Sequence, residues 1–166
     1  MDHLWSPWRY QYVSKSGPVA GCIFCSKPSE HRDEDNHIVY RGSLNFVILN
    51  LYPYTTGHLM IAPYEHIATL EAASEPILQE MMQIARRAEI HLREVYRPHG
   101  FNLGLNLGES AGAGIPGHIH MHVLPRWTGD TNFMTTVSET RVLPESLDVT
   151  FAKLKKAFGS SDKLKP

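Results

Sequence analysis

Three histidines spaced two residues apart are the part of this chain best suited to chemistry. They are His118, His120 and His122, and the residues between and after them are apolar: Ile119, Met121, Val123 and Leu124. Successive side chains of a β-strand point to opposite faces, so a strand here carries all three imidazoles on one face. Neutral imidazole is a nucleophile toward phosphorus near pH 7, and a neighbouring imidazole or imidazolium can bind phosphate oxygens. The row therefore suits phosphoryl transfer.

Two simpler explanations of this histidine row stay open. The chain holds ten histidines in 166 residues, and chance produces such a row on the order of a few hundredths of a time per chain of this composition. A His-x-His pair on a strand can also bind a single metal ion.

A glycine-rich loop directly precedes the histidines. Residues 106–117 contain four glycines, which let backbone amides approach an anion closely. The loop lacks the Gly-Lys-[Ser/Thr] ending of a P-loop, and most loops of this kind are simple turns. Its position beside the histidine row makes it a candidate phosphate site.

The two cysteines of the chain, Cys22 and Cys25, form a Cys-x-x-Cys motif. In a reducing compartment this spacing favours metal or redox chemistry over a disulfide framework. Zn²⁺ takes four sulfur or nitrogen ligands in a closed site, so a set can be drawn from the two cysteines, His66 and one further histidine. The alternative is a pair of ordinary reduced cysteines.

Composition limits the other functions of the chain. The formal charge is −1, with acidic and basic residues mixed along the sequence, so we expect no nucleic-acid partner. No apolar stretch reaches the roughly 18 residues of a membrane span, and the N-terminus lacks the apolar core of a signal peptide. We therefore expect no membrane association and a cytoplasmic location.

Hydrophobic patterning predicts five strands and two helices. The predicted strands are about 37–41, 45–51, 58–62, 101–107 and 118–124, the last ended by Pro125. The predicted helices are Glu75–Tyr96, with Ser74 as N-cap and Pro98 beyond its end, and Leu147–Phe158. One long helix inserted after the third strand predicts an α+β fold.

The chain length supports one domain with decorated ends. We predict an aromatic arm over residues 1–21, a domain over 22–131, and a C-terminal extension over 132–166 that includes the short helix. Trp5, Trp8 and Tyr10 are large enough that we expect the arm to pack on the domain or on a partner.

Residues 118–124 resemble the signature of the histidine-triad (HIT) superfamily, His-φ-His-φ-His-φ-φ with φ apolar, at every position. Gly57-His58 followed by three apolar residues, and Pro63-x-x-His66, match the preceding family pattern, so the resemblance spans about residues 22–126. The ends are similar to the bacterial diadenosine tetraphosphate phosphorylase-like branch, which is related to the fragile-histidine-triad-like proteins. The resemblance implies a five-stranded antiparallel sheet with one long and one or two short helices.

The resemblance also implies an activity. It predicts a nucleotidyl transferase or hydrolase that cleaves dinucleoside polyphosphates of the diadenosine tetraphosphate type, with phosphorolysis favoured over hydrolysis. His120 would attack the α-phosphate and form a nucleotidyl-imidazole. His122 would contact the phosphate oxygens and help the leaving group, His58 would support the cluster, and His118 would complete the triad.

The implied nucleotide-binding residues lie on two loops. Asn50 would bind the ribose hydroxyls, and Asn106 with the backbone around Gly114 and Ile115 would hold phosphate. Many members of the superfamily have Gln-[Ser/Thr] where this chain has Gly114-Ile115. The missing glutamine side chain leaves room for inorganic phosphate, which is the reason to favour phosphorolysis.

The resemblance also implies a metal site, which the zinc-containing members of the superfamily hold. Their ligands correspond here to Cys22, Cys25, His66 and His118, which predicts a structural Zn²⁺ that orders the segment carrying the nucleophile. Family members pair through the long helix and adjoining strand, so we expect a homodimer or a higher oligomer. The alternatives to polyphosphate cleavage are adenosine 5′-phosphoramidase activity and a nucleotide-binding regulatory module.

Overall fold

The computed structural model describes residues 21–131 and 143–160. The strands are β1 Ile38–Arg41, β2 Asn45–Leu49, β3 Leu59–Pro63, β4 Gly100–Leu105 and β5 Met121–Arg126. The helices are α1 Ile23–Ser29, α2 Glu75–Tyr96 and α3 Leu147–Gly159, and Glu109–Ala111 form one 3₁₀ turn. Residues 1–20 of the predicted aromatic arm, with Trp5, Trp8 and Tyr10, and residues 132–142 and 161–166 of the extension lie outside the described residues.

The five strands form one antiparallel sheet in the order β1-β2-β3-β5-β4. The last strand in the chain is therefore inserted between β3 and β4, with α2 connecting those two. The predicted α+β architecture, with one long and two short helices, is confirmed within the described residues. None of these helices is both long enough and apolar enough to cross a membrane.

The long helix α2 has the bounds that its apolar periodicity predicts. It begins after Ser74, whose side chain makes no capping hydrogen bond, and a proline stands in its first turn. It ends at Tyr96, and the next residue, Arg97, adopts the left-handed conformation that commonly terminates helices. One face of the helix is apolar and buried against the sheet.

The histidine segment enters the sheet later than predicted. The predicted strand 118–124 is wrong at both ends, because β5 runs from Met121 to Arg126. Before Met121 the chain pairs with the loop after β3, where Ile119 N–H donates to the Ile67 carbonyl over 2.7 Å. Pro125 fits inside β5 because β3 starts opposite Val123, so its missing N–H removes no bond to β3.

The sheet has two different faces. The face toward α2 and α3 carries the main apolar core, to which α3 contributes the buried Leu154 and Phe158. The opposite face carries a smaller apolar cluster made of Phe24, Ile38, Phe46, Ile48, Met60 and Ala62. Ile119, Met121 and Val123 pack in the main core. The predicted alternation of side chains is therefore confirmed, including at the residues before Met121 that do not form a regular strand.

Helix α1 is absent from the sequence prediction. Its seven residues include Pro28, a residue that normally ends a helix. The proline is tolerated because the helix stops one residue later. The chain then turns through residues 30–37 into β1, and the buried Phe24 and Pro28 fix α1 against the sheet.

Candidate active site

A cavity of about 480 Å³ lies on the sheet face opposite α2 and α3. A continuous cross-strand row runs along this face: Ile38 pairs with Ile48, Ile48 with Met60, and Met60 with His122. The last three of these residues line the cavity. An apolar floor therefore leads across the sheet to His122 on β5.

His58 and His122 form a buried pair whose protonation is set by the backbone. The Nδ1 atom of His58 accepts from the backbone N–H of Tyr54 over 3.2 Å, so the ring proton lies on Nε2. That Nε2 lies 2.8 Å from Nδ1 of His122 and donates to it. The remaining proton of His122 is therefore on its Nε2, which makes that atom a donor toward the cavity.

His120 has the opposite arrangement. Its Nδ1 lies 2.9 Å from the carbonyl oxygen of His118 and must donate to it, because a carbonyl can only accept. The Nε2 of His120 then carries a lone pair and no proton. Since the rings of His120 and His122 are 5.0 Å apart and both line the cavity, an unprotonated nitrogen stands beside an N–H donor.

Burial keeps these imidazoles neutral. It lowers the pKa of His122 to about 4, with a smaller contribution from His120. It also lowers the pKa of His58 to about 3, with contributions from His122 and His120. The pKa of His120 is likewise lowered by burial, against the hydrogen bond to the His118 carbonyl. A nucleophilic imidazole here needs no prior loss of a proton at pH 7.

The four predicted nucleotide-binding residues all line this cavity: Asn50, Asn106, Gly114 and Ile115. Asn50 follows β2, and its Oδ1 accepts from the backbone N–H of Tyr52 over 2.9 Å. Ile115 packs on the smaller apolar cluster, so its side chain is part of the wall. His58 and His118 are not among the residues that line the cavity.

Four predicted metal ligands meet at one point beside the cavity. One donor atom from each of Cys22, Cys25, His66 and His118 lies within 4.8 Å of all the others. The Sγ of Cys22 is 3.3 Å from Nδ1 of His118, and the Sγ of Cys25 is 3.3 Å from Nδ1 of His66. Ligand atoms about 2.0–2.3 Å from a tetrahedral Zn²⁺ are separated by similar distances.

The tautomer of His118 fits a metal ligand. Its Nε2 lies 2.9 Å from the Pro63 carbonyl oxygen and must donate to it, which leaves the Nδ1 lone pair facing the cysteines. Burial, helped by the neighbouring Cys22, raises the pKa of the Cys25 thiol. A cation at this point would offset that effect and hold both sulfurs as thiolates. The donor set and its hydrogen bonding fit Zn²⁺.

Phe24 is a site residue that the sequence prediction missed. Its ring centroid lies 4.7 Å from that of His120 and 5.3 Å from that of His118. Phe24 sits inside the Cys-x-x-Cys motif, and an aromatic residue between two candidate ligands was the available signal. Tyr54, which acts through its backbone, and Lys27, which lines the cavity from α1, carry no comparable signal in the sequence.

Comparison with known proteins gives a consistent result. A family model described as "HIT domain" matches residues 31–129. The chain is 38% identical over 154 residues to a Mycobacterium tuberculosis protein named AP-4-A phosphorylase. The alignment covers 89% of this chain and 79% of that protein. It is 30% identical to an uncharacterised HIT-like protein of Saccharolobus solfataricus, over 68% of this chain and 79% of that protein.

Solved structures of histidine triad proteins share the fold of this chain. A Zn-bound histidine triad family protein from Mycobacterium smegmatis superposes with a TM-score of 0.71 at 25% identity, over 87% of this chain and 98% of that one. A protein from Sulfolobus tokodaii described as a hypothetical histidine triad nucleotide-binding protein shares the fold with a TM-score of 0.69 at 24% identity, over 86% of this chain and 95% of that one.

Proposed function

The chain belongs to the HIT-domain family, and from this premise we propose that it cleaves dinucleoside polyphosphates of the diadenosine tetraphosphate type through a nucleotidyl-His120 intermediate. The observation that carries the proposal is the pairing of an unprotonated His120 Nε2 with the His122 Nε2–H donor in one cavity. The relative from M. tuberculosis, whose name gives diadenosine tetraphosphate as its substrate, supports the substrate class.

The reaction proceeds in two displacements at phosphorus. The lone pair of His120 Nε2 attacks the α-phosphate, an N–P bond forms, and the P–O bond to the remaining polyphosphate breaks. His122 donates a hydrogen bond to the phosphate oxygens that gain charge, and His58 holds its ring in the donating orientation. Water or inorganic phosphate then attacks the nucleotidyl-imidazole and releases the nucleotide.

We propose a structural Zn²⁺ held by Cys22, Cys25, His66 and His118, in line with the zinc of the M. smegmatis relative. When bound, the ion supplies a fixed positive centre that keeps the sulfurs charged. The ring of His118 is then held at Nδ1 by the ion and at Nε2 by the Pro63 carbonyl. The backbone carbonyl of His118 in turn orients the nucleophile His120. The reducing cytoplasm, which we propose as the location, keeps both thiols available.

The acceptor in the second displacement is inorganic phosphate in our proposal. Gly114 has no side chain to occupy the loop side of the cavity, so a phosphate can sit against the backbone amides there, and a positioned anion competes well with water. Incubation of diadenosine tetraphosphate with and without phosphate tests this. Phosphorolysis gives ADP and ATP at a rate that rises with phosphate, whereas AMP and ATP formed at a phosphate-independent rate identify a hydrolase.

A double substitution tests the space argument itself. Gly114→Gln with Ile115→Ser restores the side chains common in the superfamily, and it should shift products from ADP toward AMP. Ile115→Ser alone is the matched control, because it leaves the space at Gly114 open. Unchanged product ratios in the double variant would contradict the argument. No cleavage by wild-type protein, combined with tight mononucleotide binding, would instead support a regulatory module.

A homodimer is the assembly that we propose. β4 is an edge strand, and its Leu103 is 44% exposed. Met82 on α2 is 56% exposed. These apolar side chains on a strand edge and on the long helix support pairing through the two elements. Light scattering after gel filtration tests it, and Met82→Glu with Leu103→Glu should yield monomers.

A further inference from the structure

The cavity that holds His120 and His122 is too small to enclose a whole dinucleoside polyphosphate. Its volume of about 480 Å³ suits one drug-sized ligand, whereas a dinucleoside tetraphosphate joins two nucleotides end to end. The first nucleoside can lie on the apolar floor formed by Ile48 and Met60, with its α-phosphate at the two histidines. The second nucleoside must then lie at the mouth of the cavity.

Tyr52 stands at this mouth. It is one of the residues that line the cavity, and yet it is 68% exposed. Among the described residues of the lining, it is the only aromatic residue in the exposed class. The preceding Leu51 also lines the cavity and is exposed. Exposed apolar side chains grouped at the edge of a cavity indicate a surface that a ligand covers.

Tyr52 lies on the side of the cavity where the leaving group departs. It precedes Tyr54 by two residues, so their Cα atoms are at most about 7 Å apart. The ring of Tyr54 stacks on that of His122, with centroids 6.1 Å apart and planes inclined by 22°. His122 is the residue that we propose to assist the leaving polyphosphate. The second nucleoside, which leaves with that polyphosphate, therefore passes close to Tyr52.

Backbone hydrogen bonds fix the loop that carries Tyr52. The N–H of Tyr52 donates to Oδ1 of Asn50 over 2.9 Å, and the N–H of Asn50 donates to the His58 carbonyl over 3.1 Å. The N–H of Tyr54 donates to Nδ1 of His58 over 3.2 Å. These bonds involve the backbone of Tyr52 and not its ring. A change of the Tyr52 side chain therefore leaves the orientation of Asn50 and the tautomer of His58 intact.

We propose that Tyr52 is a specificity-determining residue whose ring stacks on the base of the second nucleoside. This inference rests on the proposed function, because it takes a dinucleoside polyphosphate as the substrate. Stacking on an aromatic side chain uses the face of a base, which every base has. Tyr52 therefore detects the presence of a second base and not its identity, and it favours dinucleoside polyphosphates over nucleotides with one base.

Two substrates with the same phosphate chain isolate the contribution of the second base. Diadenosine tetraphosphate and adenosine 5′-tetraphosphate form the same nucleotidyl-His120 intermediate, and only the former has a second base. Tyr52→Ala should lower kcat/KM for diadenosine tetraphosphate about tenfold, a typical loss for one stacked base, and change kcat/KM for adenosine tetraphosphate less than about threefold. Tyr52→Phe keeps the ring and should behave as wild type. Val149→Ala, which truncates an exposed side chain on α3, is the matched control.

Binding without turnover provides a second measurement. In the His120→Ala background, adding Tyr52→Ala should weaken binding of diadenosine tetraphosphate about tenfold and leave AMP affinity within about threefold. AMP has a single base, which lies on the cavity floor, so its affinity reports whether the first half of the site is intact. Isothermal titration calorimetry on the full-length protein gives both dissociation constants.

Three results would overturn the proposal. Equal losses for both tetraphosphates in Tyr52→Ala would mean that the residue acts on the first nucleotide or on the phosphates. Unchanged values for both would mean that the second base does not contact Tyr52. A Tyr52→Phe protein as impaired as Tyr52→Ala would assign the contact to the hydroxyl group. Failure of wild type to cleave either substrate refutes the proposed function, whereas cleavage of both without dependence on Tyr52 refutes the role of Tyr52 alone.

Discussion

The two faces of the segment 118–123 are built from alternate residues and have opposite properties. Ile119, Met121 and Val123 enter the main apolar core under α2. The alternate histidines face the metal cluster and the cavity, and burial lowers the pKa of each. Consecutive residues of this segment thus belong alternately to the apolar core and to the candidate active site.

The difference between the faces teaches how a buried polar site is kept stable. On the core face, stability comes from apolar surface removed from water. On the site face, each histidine nitrogen that turns inward meets a backbone group or another imidazole: His118 meets Pro63, His120 meets His118, and His58 meets Tyr54. Burial without such partners costs free energy. The site should therefore be separable from the core by mutation.

The largest expected effect is on turnover, at the site face. His120→Ala should lower kcat by about 10⁴- to 10⁶-fold, the loss typical of a covalent nucleophile, because no other unprotonated nitrogen is placed at the phosphate. Mononucleotide binding and the thermal transition should change little. The measurements are single-turnover kinetics and acid-quench detection of the nucleotidyl-protein. Retention of more than about a hundredth of wild-type turnover would show that His120 is not the nucleophile.

A change in the metal cluster is expected to affect both stability and nucleotide binding. Purified untagged protein should contain about one Zn²⁺ per chain, and Cys22→Ser should lose it. A ligand that binds only the folded state adds about 4 kcal/mol at a thousand times its Kd, so the variant should be less stable and should also bind nucleotide more weakly. Ser26→Ala, an exposed neighbour on α1, is the control.

Elemental analysis and thermal denaturation with and without a chelator check the metal prediction. A metal-free protein with two titratable thiols and unchanged stability would make the cysteines ordinary reduced residues. A metal-bound protein whose nucleotide affinity is insensitive to chelation would show that the cluster and the cavity are independent.

The core face should show the reverse pattern. Ile119→Ala removes a side chain that is 2% exposed and should cost about 3 kcal/mol of unfolding free energy, within the range for a buried isoleucine. The turnover of the folded fraction should stay within a few-fold of wild type. Urea titration and kinetics under native conditions check it. A loss of kcat comparable with that of His120→Ala would show that the two faces are coupled.

The last expected effect appears only on acidification, as a pH dependence of stability that originates at the site face. His122 has a pKa of about 4 in the folded protein and about 6.5 when unfolded, so the unfolded state binds more protons below pH 6.5. Stability is therefore full above pH 6.5 and falls as the pH decreases toward 4, by up to about 1.4 kcal/mol per pH unit for this group. His122→Gln should reduce the slope of unfolding free energy against pH by about one proton. An unchanged slope would mean that His122 is protonated in the folded state.

Local sequence patterns predicted the five strands and the long helix, and the long helix most accurately. The bounds of α2 agree with its periodicity from Glu75 to Tyr96, because one stripe of the helix packs on the sheet. The start of β5 was misplaced because period-two alternation marks which side chains share a face, whereas a strand also needs a hydrogen-bonded neighbour. His118 has none in the sheet, since β3 pairs with β5 only as far as Met121.

The site was predictable as a set of residue types and not as a geometry. The spacing of the histidines and cysteines indicated which residues form the site. The proton positions on His58, His120 and His122 depend on backbone groups of distant residues such as Tyr54, which no local pattern encodes. Helix α1 was missed because seven residues ending near Pro28 are too short for periodicity to be read.

The insertion of β5 between β3 and β4 determines when during synthesis the protein can become functional. β3 and β4 are not neighbours in the sheet, so a growing chain that has reached Leu105 leaves an open edge on each of them. The nucleophile His120 and the last metal ligand His118 are synthesised together, in the segment that leads directly into the strand that closes this gap, and Cys22 contacts His118 across 96 residues. Pairings of such long range are formed late and slowly. A nascent or truncated chain that ends before His118 therefore lacks both the nucleophile and the fourth metal ligand, and closure of the sheet and acquisition of activity are one event.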